Sequence, residues 1–210
     1  MTDTIRSVTT HHAQPFRLVL ASASPRRREL LAQAGYIFDI EAAEIDETPR
    51  PNESPAAYVK RLAEEKAQAI LAKHRDPHRG LIVLGADTTV VCDNEILAKP
   101  DDAAHAKLML RKLSGRTHEV LTGIAAATHA GISSAVETTE VVFSEIPEIE
   151  LDRYCATHEP LDKAGAYGIQ GYAARWIPRI DGDYFNVMGL PIARVVRLID
   201  EAAAKISDTP

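Results

Sequence analysis

Three arginines follow a proline in the segment 22–30, SASPRRREL, where a helix is expected to begin. The apolar run FRLVLA at 16–21 predicts a buried strand before it. Ser24 suits the N-cap of a helix and Pro25 its first turn. The arginines at 26–28 then lie at the positive end of the helix dipole, which costs roughly 0.3–1 kcal/mol per charge near the surface.

Bound anion would offset that cost. Serine hydroxyls, free N–H groups at a helix N-terminus and guanidinium groups all bind phosphate, so we interpret the segment as a phosphate site. It is not a P-loop, because the glycine-rich loop and the terminal Lys-Ser/Thr are missing. The alternative is a solvated basic turn in which the arginines pair with the acidic loop at 44–47.

A single carboxylate, Asp87, ends the apolar run LIVLGA at 81–86. A buried carboxylate is unfavourable unless it is paired or bound to metal. Enzymes of the α/β class place their sites at the carboxyl ends of strands, so Asp87 is a candidate to hold Mg²⁺ or to orient a water. Thr88 offers a hydroxyl to an anion or to Asp87 itself. The alternative is an aspartate that caps the turn after the strand.

Further polar residues are candidates for the same site only because they occur together with these two motifs. The segment EIDET at 44–48 offers carboxylates, Lys66 is expected on a helix whose apolar stripe lies elsewhere, and Lys99 is followed by a proline. In DKAGAYGIQG, 162–171, small residues allow close approach of a ligand, and Gln170 can donate to and accept from a base. Alternatively, each charge is a solvated surface group and the glycine-rich segment is a connector.

Apolar periodicity and turn residues predict the elements that carry these residues. Strands alternate with helices and hairpins recur, so we predict an α/β fold with a mixed sheet. The predicted elements are a strand at 17–21, a helix at 25–34, a strand from 36 that leads into a polar loop, a helix from 54–55, a strand–turn–strand at 80–100, a helix at 101–115, a hairpin at 118–146, a helix at 147–155, strand and turn signals at 175–191, and a helix at 191–205.

Composition excludes several classes of protein. The chain has 210 residues, 45% hydrophobic, and a net charge of −6, which argues against a general nucleic-acid binder. Two cysteines give no disulfide framework, which fits a reducing cytoplasm. We expect a loose tail at 1–15 and one bilobed domain at 16–206. The tail has no apolar signal region, and no run approaches the ~18 apolar residues of a membrane span, so we expect no membrane association.

Four segments, taken in order, carry a resemblance to a known family: LASASPRRRELL, LAEEKA, LGADTTV…LAKP…MLRKLSGRTHEVLTG and DKAGAYGIQG…VMGLP. Together they closely resemble the Maf family of nucleoside-triphosphate pyrophosphatases. The resemblance implies cleavage between the α- and β-phosphates, with a divalent metal, Mg²⁺ or Mn²⁺. It also implies a house-cleaning role, an elongated mixed sheet with flanking helices and two lobes around a nucleotide cleft, and a homodimer.

The resemblance also assigns roles to individual residues. Asp87 matches the proton acceptor that activates the attacking water, and Glu47 matches an acidic position that binds the metal together with Asp87. The positions matching those that set substrate choice are Arg26, Thr88 and Gln170. The positions expected to hold the phosphates are Ser22, Ser24, Arg26, Arg27, Lys66 and Lys99.

The residues in these motifs resemble those of the branch of the family that acts on dTTP and UTP. Two alternatives stay open: a pyrophosphatase of the 7-methyl-GTP type, and a nucleotide-binding regulator of cell division (septum formation) without significant turnover. After GIQG the sequence reads YAARWIPRI, which departs from many relatives. Trp176 in that stretch either belongs to the core or lines the base pocket.

Overall fold

A computed structural model describes residues 14–74 and 80–207, so most of the predicted tail at 1–15 lies outside the described residues. The described part holds one mixed sheet flanked by helices, as predicted. The strands are β1 (Arg17–Leu20), β2 (Asp39–Ile40), β3 (Leu81–Cys92), β4 (Glu95–Leu97), β5 (Thr117–Thr128), β6 (Gly131–Val142) and β7 (Arg179–Asp181). The helices are α1 (Pro25–Gln33), α2 (Pro55–Leu71), α3 (Ala103–Leu113), α4 (Glu148–Cys155), α5 (Tyr184–Val187) and α6 (Ile192–Ser207).

The sheet has the order β2-β1-β3-β5-β6-β7, and β4 pairs with β3 beyond the end of β1. β1 runs parallel to β2 and β3, whereas β4, β5, β6 and β7 pair antiparallel. The β3–β4 turn places Asp93 and Asn94 at positive φ, 54° and 62°. Two successive residues of that conformation make the tight hairpin turn that the DNE segment predicts. Among the described helices, none is both long and apolar enough to cross a bilayer.

Alternation along the long strands divides the core between the two faces of the sheet. On one face, α1 and α6 cover the first half of β3, and α3 and α4 cover its second half. On the other face, α2 covers β3 and β5. Two apolar clusters therefore share one face at opposite ends of the same strands.

Two glycines bring α2 unusually close to the sheet. A Cβ added at Gly85 would lie 2.1 Å from the Ala63 carbonyl oxygen, and one at Gly123 would lie 2.1 Å from the Val59 carbonyl oxygen. The stripe predicted for this helix was wrong in one respect: Lys66 lies on its buried face, only 9% exposed. The Lys66 side chain is therefore buried between α2 and the sheet.

The structure corrects the prediction in three other places. Asp87 does not end its strand but lies in the middle of β3, because the β-branched residues after it continue the strand to Cys92. The strand predicted from Tyr36 is reduced to the two residues of β2. The short helix α5, which Asp183 caps through the Phe185 N–H, was not predicted.

Trp176 belongs to the core. It is 5% exposed and makes edge contacts with Tyr154 and Tyr172. It is not among the residues that line the cleft described below.

Candidate active site

A cleft of about 980 Å³ lies beside a stretch of β3 that, among the described residues, has no strand partner on one edge. β1 pairs with β3 at residues 81–84 and β4 pairs with it at 90–92, so in the described structure residues 85–89 have no strand partner on that edge. Asp87 lies at the centre of this gap. All ten predicted site residues line the cleft, namely Ser22, Ser24, Arg26, Arg27, Glu47, Lys66, Asp87, Thr88, Lys99 and Gln170. The structure thus brings together every position that the resemblance implies, and their roles stay predictions.

The face of β3 that is covered by α2 carries a buried ion pair. Lys66 Nζ donates to Asp87 Oδ1 at 2.7 Å, and Asp87 is 8% exposed. The same ammonium lies 2.7 Å from Oε1 of Glu47, whose side chain is about half exposed. Because a buried charge needs a partner, the lysine is the shared ion-pair partner of both carboxylates.

The loop that carries Glu47 is fastened to α2. Tyr58 OH donates to the Glu47 carbonyl oxygen at 3.0 Å, and Arg61 donates to the Thr48 carbonyl oxygen at 3.2 Å. Burial, with Asp87 and Glu47 nearby, raises the pKa of Tyr58 to about 12, so its hydroxyl remains a donor. These contacts hold the Glu47 side chain at the mouth of the cleft.

Arg27 lies on the face of β3 opposite α2. Its guanidinium donates hydrogen bonds to three separate segments of the chain. Nε donates to the Gly189 carbonyl oxygen at 2.8 Å, and Nη1 donates to the Ala86 carbonyl oxygen at 2.8 Å and to Ser22 Oγ at 3.3 Å. Nη2 donates to Thr88 Oγ1 at 2.9 Å. Burial lowers the pKa of Arg27, although the negative charge of Asp87 offsets part of that effect.

Thr88 continues the network toward the core. Its hydroxyl lies 2.9 Å from Thr122 Oγ1, and Thr122 donates to the Asn186 carbonyl oxygen at 3.1 Å. Because Thr122 donates its hydroxyl hydrogen to that carbonyl, Thr88 donates to Thr122 and accepts from Arg27. The predicted specificity residue is therefore part of a directed chain of hydrogen bonds that ends on α5.

Arg26 and Gln170 lie on the open side of the cleft. The Arg26 guanidinium is 3.8 Å from Asp162 Oδ2, a long contact that leaves its donors free to turn toward a ligand. Gln170 is exposed at the end of the glycine-rich segment. The alternative in which the arginines pair with the acidic loop at 44–47 is not seen for either Arg26 or Arg27.

The glycine-rich segment is anchored at several points. The Gly165 N–H donates to the carbonyl oxygen of Ala98, next to Lys99, at 3.2 Å. Tyr167 OH lies 2.8 Å from Nε2 of His118, a residue 2% exposed on β5. Burial lowers the pKa of His118 to about 4, so the imidazole is neutral at pH 7. The segment is therefore a fixed wall of the cleft and not a loose connector.

The residues suit a divalent metal that is shared with the substrate. The described residues contain no cluster of three or more His, Cys, Asp or Glu side chains that could hold an ion. Glu47 and Asp87 nevertheless face the same ammonium at 2.7 Å each. Mg²⁺ is commonly held by one or two carboxylates together with substrate phosphates, so two carboxylates are a sufficient protein contribution.

Sequence reasoning missed several residues of the cleft. Tyr58 could have been found, since it precedes Lys66 by eight residues and two helical turns place both on one face. Asp162 and Lys163 were quoted only as part of the glycine-rich segment, yet they form an ion pair at 2.6 Å on the rim. The pairing of His118 with Tyr167 joins residues 49 apart, and no local pattern indicates it.

Sequence similarity to known proteins extends over most of the chain. The sequence model of a family described as Maf-like protein matches residues 17–202. A dTTP/UTP pyrophosphatase of Hahella chejuensis is 50% identical over 190 residues, 90% of this chain and 94% of that protein. Proteins of the same description from Koribacter versatilis and Geobacter metallireducens are 50% and 52% identical, over 88% and 86% of this chain and 94% and 93% of theirs.

One solved structure is more distant. It is a nucleoside-triphosphatase / dITP/XTP pyrophosphatase from Mycobacterium abscessus, 20% identical, with a TM-score of 0.39 over 63% of this chain and 75% of that one.

Proposed function

The chain belongs to the Maf-like family, and from that premise we propose that it is a pyrophosphatase that hydrolyses dTTP and UTP. The products are the nucleoside monophosphate and pyrophosphate. The substrate pair is that of relatives about 50% identical over nearly their whole length. A house-cleaning role in nucleotide metabolism accompanies this activity.

One observation supports the proposal above the others. The open stretch of β3 at 85–89 contains Asp87 and borders a cleft whose walls carry Arg26, Lys66 and Lys99. A carboxylate able to accept a proton, surrounded by cations able to hold phosphates, is what phosphoanhydride hydrolysis requires of a protein.

In the proposed reaction Asp87 accepts a proton from the water that attacks the α-phosphorus. A bond forms between the water oxygen and phosphorus, the bond to the bridging α–β oxygen breaks, and pyrophosphate leaves. Lys66 pairs with Asp87 before the reaction and lies near the developing negative charge. Arg26 and Lys99 lie on the open side, where they can bind the triphosphate, and Ser22 and Ser24 lie at the start of α1.

A divalent cation, Mg²⁺ or Mn²⁺, belongs to this proposal. Glu47 and Asp87 would hold it together with phosphate oxygens of the substrate. When bound, it neutralises phosphate charge and polarises the phosphorus–oxygen bonds. Lys66 faces the same two carboxylates, so its ammonium and the cation share them as partners.

We further propose that the unit 16–206 is the catalytic domain and that two copies form a homodimer in the cytoplasm, without nucleic acid or membrane as partner. The sheet that positions Asp87 begins at Arg17, and α6 ends at Ser207, close to these bounds. Cys92 and Cys155 are buried free thiols, in keeping with a reducing compartment.

Pyrophosphate release across a panel of nucleotides tests the function. The panel contains dTTP, UTP, CTP, dATP, GTP and 7-methyl-GTP, each with Mg²⁺ or Mn²⁺, and Asp87→Asn is assayed alongside. We expect preference for dTTP and UTP, with kcat of the variant lowered at least about 100-fold, the usual contribution of a general base.

The other outcomes separate the alternatives. Preference for 7-methyl-GTP would keep the enzyme class and overturn the roles of Arg26, Thr88 and Gln170 in substrate choice. Tight binding of dTTP without turnover by the unmodified protein would instead support a nucleotide-binding regulator of cell division. Full activity of Asp87→Asn would show that Asp87 is not the base.

A further inference from the structure

Residues 85–89 of β3 carry Asp87 without a strand neighbour on their open edge. An edge strand exposes unpaired carbonyl and N–H groups and is less constrained than a central strand. A catalytic carboxylate, by contrast, must be held within a fraction of an ångström of its working position. Some other group must therefore replace the missing strand at this point.

Arg27 takes that place. Its guanidinium donates to the Ala86 carbonyl oxygen at 2.8 Å and to Thr88 Oγ1 at 2.9 Å, so it bonds the residue before Asp87 and the residue after it. A third bond, from Nε to the Gly189 carbonyl oxygen at 2.8 Å, ties the same group to the segment that leads into α6.

These bonds also limit what else the side chain can do. A guanidinium has five N–H groups, and the bonds to Gly189, Ala86, Ser22 and Thr88 engage four of them. Arg26 differs, since its contact with Asp162 is 3.8 Å long and its side chain is 33% exposed. Of the two arginines, Arg26 is therefore the one equipped to bind a phosphate directly.

We propose that Arg27 is a positioning residue that fixes Asp87 by bonding the strand on both sides of it, and not a ligand of the triphosphate. The proposal rests on the proposed function, in which Asp87 is the base. Lys66 holds the Asp87 carboxylate from the α2 face while Arg27 holds the adjacent backbone and side chain from the opposite face. The base is thereby fixed from two sides without a strand neighbour.

Arg27→Lys is the decisive variant, because it keeps the positive charge and most of the volume but loses the planar fork. A lysine ammonium can donate to an acceptor on β3, to Ser22 or to Gly189, but it lacks the planar group that bonds all of them at once. For pyrophosphate release from dTTP, we expect kcat to fall about 100-fold, the loss typical of a catalytic group misplaced by 1 Å. We expect KM, and the Kd of a non-hydrolysable α,β-methylene dTTP, to stay within about threefold of the unmodified protein, since no phosphate contact is lost.

Two matched variants complete the experiment. Arg28→Lys changes the exposed neighbour in the same turn of α1 and should leave both constants unchanged. Arg27→Ala should lose kcat as Arg27→Lys does and regain part of it with added methylguanidinium, a rescue that general destabilisation would not show. If Arg27→Ala shows no cooperative thermal transition, Arg27→Lys with its KM and kcat decides alone.

The proposal is overturned if Arg27→Lys keeps kcat, or if its main effect is a tenfold or larger weakening of α,β-methylene dTTP binding. Retained kcat would show that Asp87 does not need the Arg27 bridge, and weakened binding would make Arg27 a phosphate ligand. Failure of the proposed function has a different signature, because the unmodified protein and Arg28→Lys would then release no pyrophosphate from dTTP.

Discussion

At the scale of single residues, Thr89 and Thr122 lie on adjacent strands and differ in whether their buried hydroxyls are hydrogen-bonded. Thr89 follows Asp87 by two residues and is 2% exposed, and its hydroxyl has no hydrogen-bond partner among the described residues. Thr122 is fully buried and its hydroxyl bonds both Thr88 and the Asn186 carbonyl. A buried hydroxyl without a partner costs about 1–3 kcal/mol, so Thr89→Val should raise the free energy of unfolding by about 1 kcal/mol.

Urea denaturation measures this difference, and Thr122→Val is the matched control. The same change of atoms there removes two hydrogen bonds, because the Thr88 hydroxyl loses its acceptor and the Asn186 carbonyl is left with the Gly189 N–H as its donor, so we expect a loss of about 1–3 kcal/mol. Thr89 borders the cleft, but its hydroxyl is buried, so pyrophosphate release should be unaffected by Thr89→Val. If that variant instead loses activity at unchanged stability, the Thr89 hydroxyl contacts the substrate or its bound water, and our interpretation of it as an unsatisfied core group is wrong.

At the scale of elements, the approach of α2 to the sheet determines whether Lys66 reaches Asp87. Gly85→Ala places a Cβ 2.1 Å from the Ala63 carbonyl oxygen, a backbone atom that cannot rotate away. The helix must shift outward, which costs typically 1–3 kcal/mol for an overpacked core. Because Lys66 moves with the helix, we expect kcat for dTTP to fall at least about tenfold, in addition to the lost stability.

Gly80→Ala is the control for this prediction. A Cβ there meets Ile206 Cγ2 at 3.4 Å, an ordinary contact, so the melting temperature and kcat should both stay close to those of the unmodified chain. Full activity of Gly85→Ala would mean that the ion pair of Lys66 with Asp87 tolerates movement of α2, and the packing argument would fail.

Local sequence patterns account for the elements better than for the site. Ser24 with Pro25 marked the start of α1, because a cap is a contact within one turn. The gap on the edge of β3 depends on where β1 ends and β4 begins, which no local pattern shows. The burial of Lys66 likewise depends on Gly85, which meets α2 only in the folded chain.

For the candidate site too, local patterns indicated which residues take part, and tertiary contacts determined their environments. Residue types and the resemblance placed ten residues in one cleft, but the partners of Arg27 lie up to 162 positions away in the sequence. The pattern at 26–28 indicated anion binding for the whole triplet, whereas the structure gives each arginine a different environment. Which arginine is free for a ligand is decided by tertiary contacts alone.

At the scale of the whole molecule, the buried imidazole of His118 links folding to pH. Its pKa is lowered from 6.5 to about 4 by burial, beside Tyr167 and Phe143. Between these two values the unfolded chain binds a proton that the folded chain does not, so stability falls as pH falls. From pH 7 to pH 5 this one group should lower the free energy of unfolding by about 2 kcal/mol.

His118→Gln separates this contribution from that of the carboxylates, which titrate alike in both proteins. Glutamine does not titrate and can still hydrogen-bond the Tyr167 hydroxyl, so the variant should lose about 2 kcal/mol less between pH 7 and pH 5 in urea denaturation. Equal pH dependence in the two proteins would mean that the imidazole becomes protonated within the folded state. The contact with Tyr167, and with it the wall of the cleft that carries Gln170, would then change across the same range of pH, and substrate selectivity measured at pH 5 and pH 7 would differ.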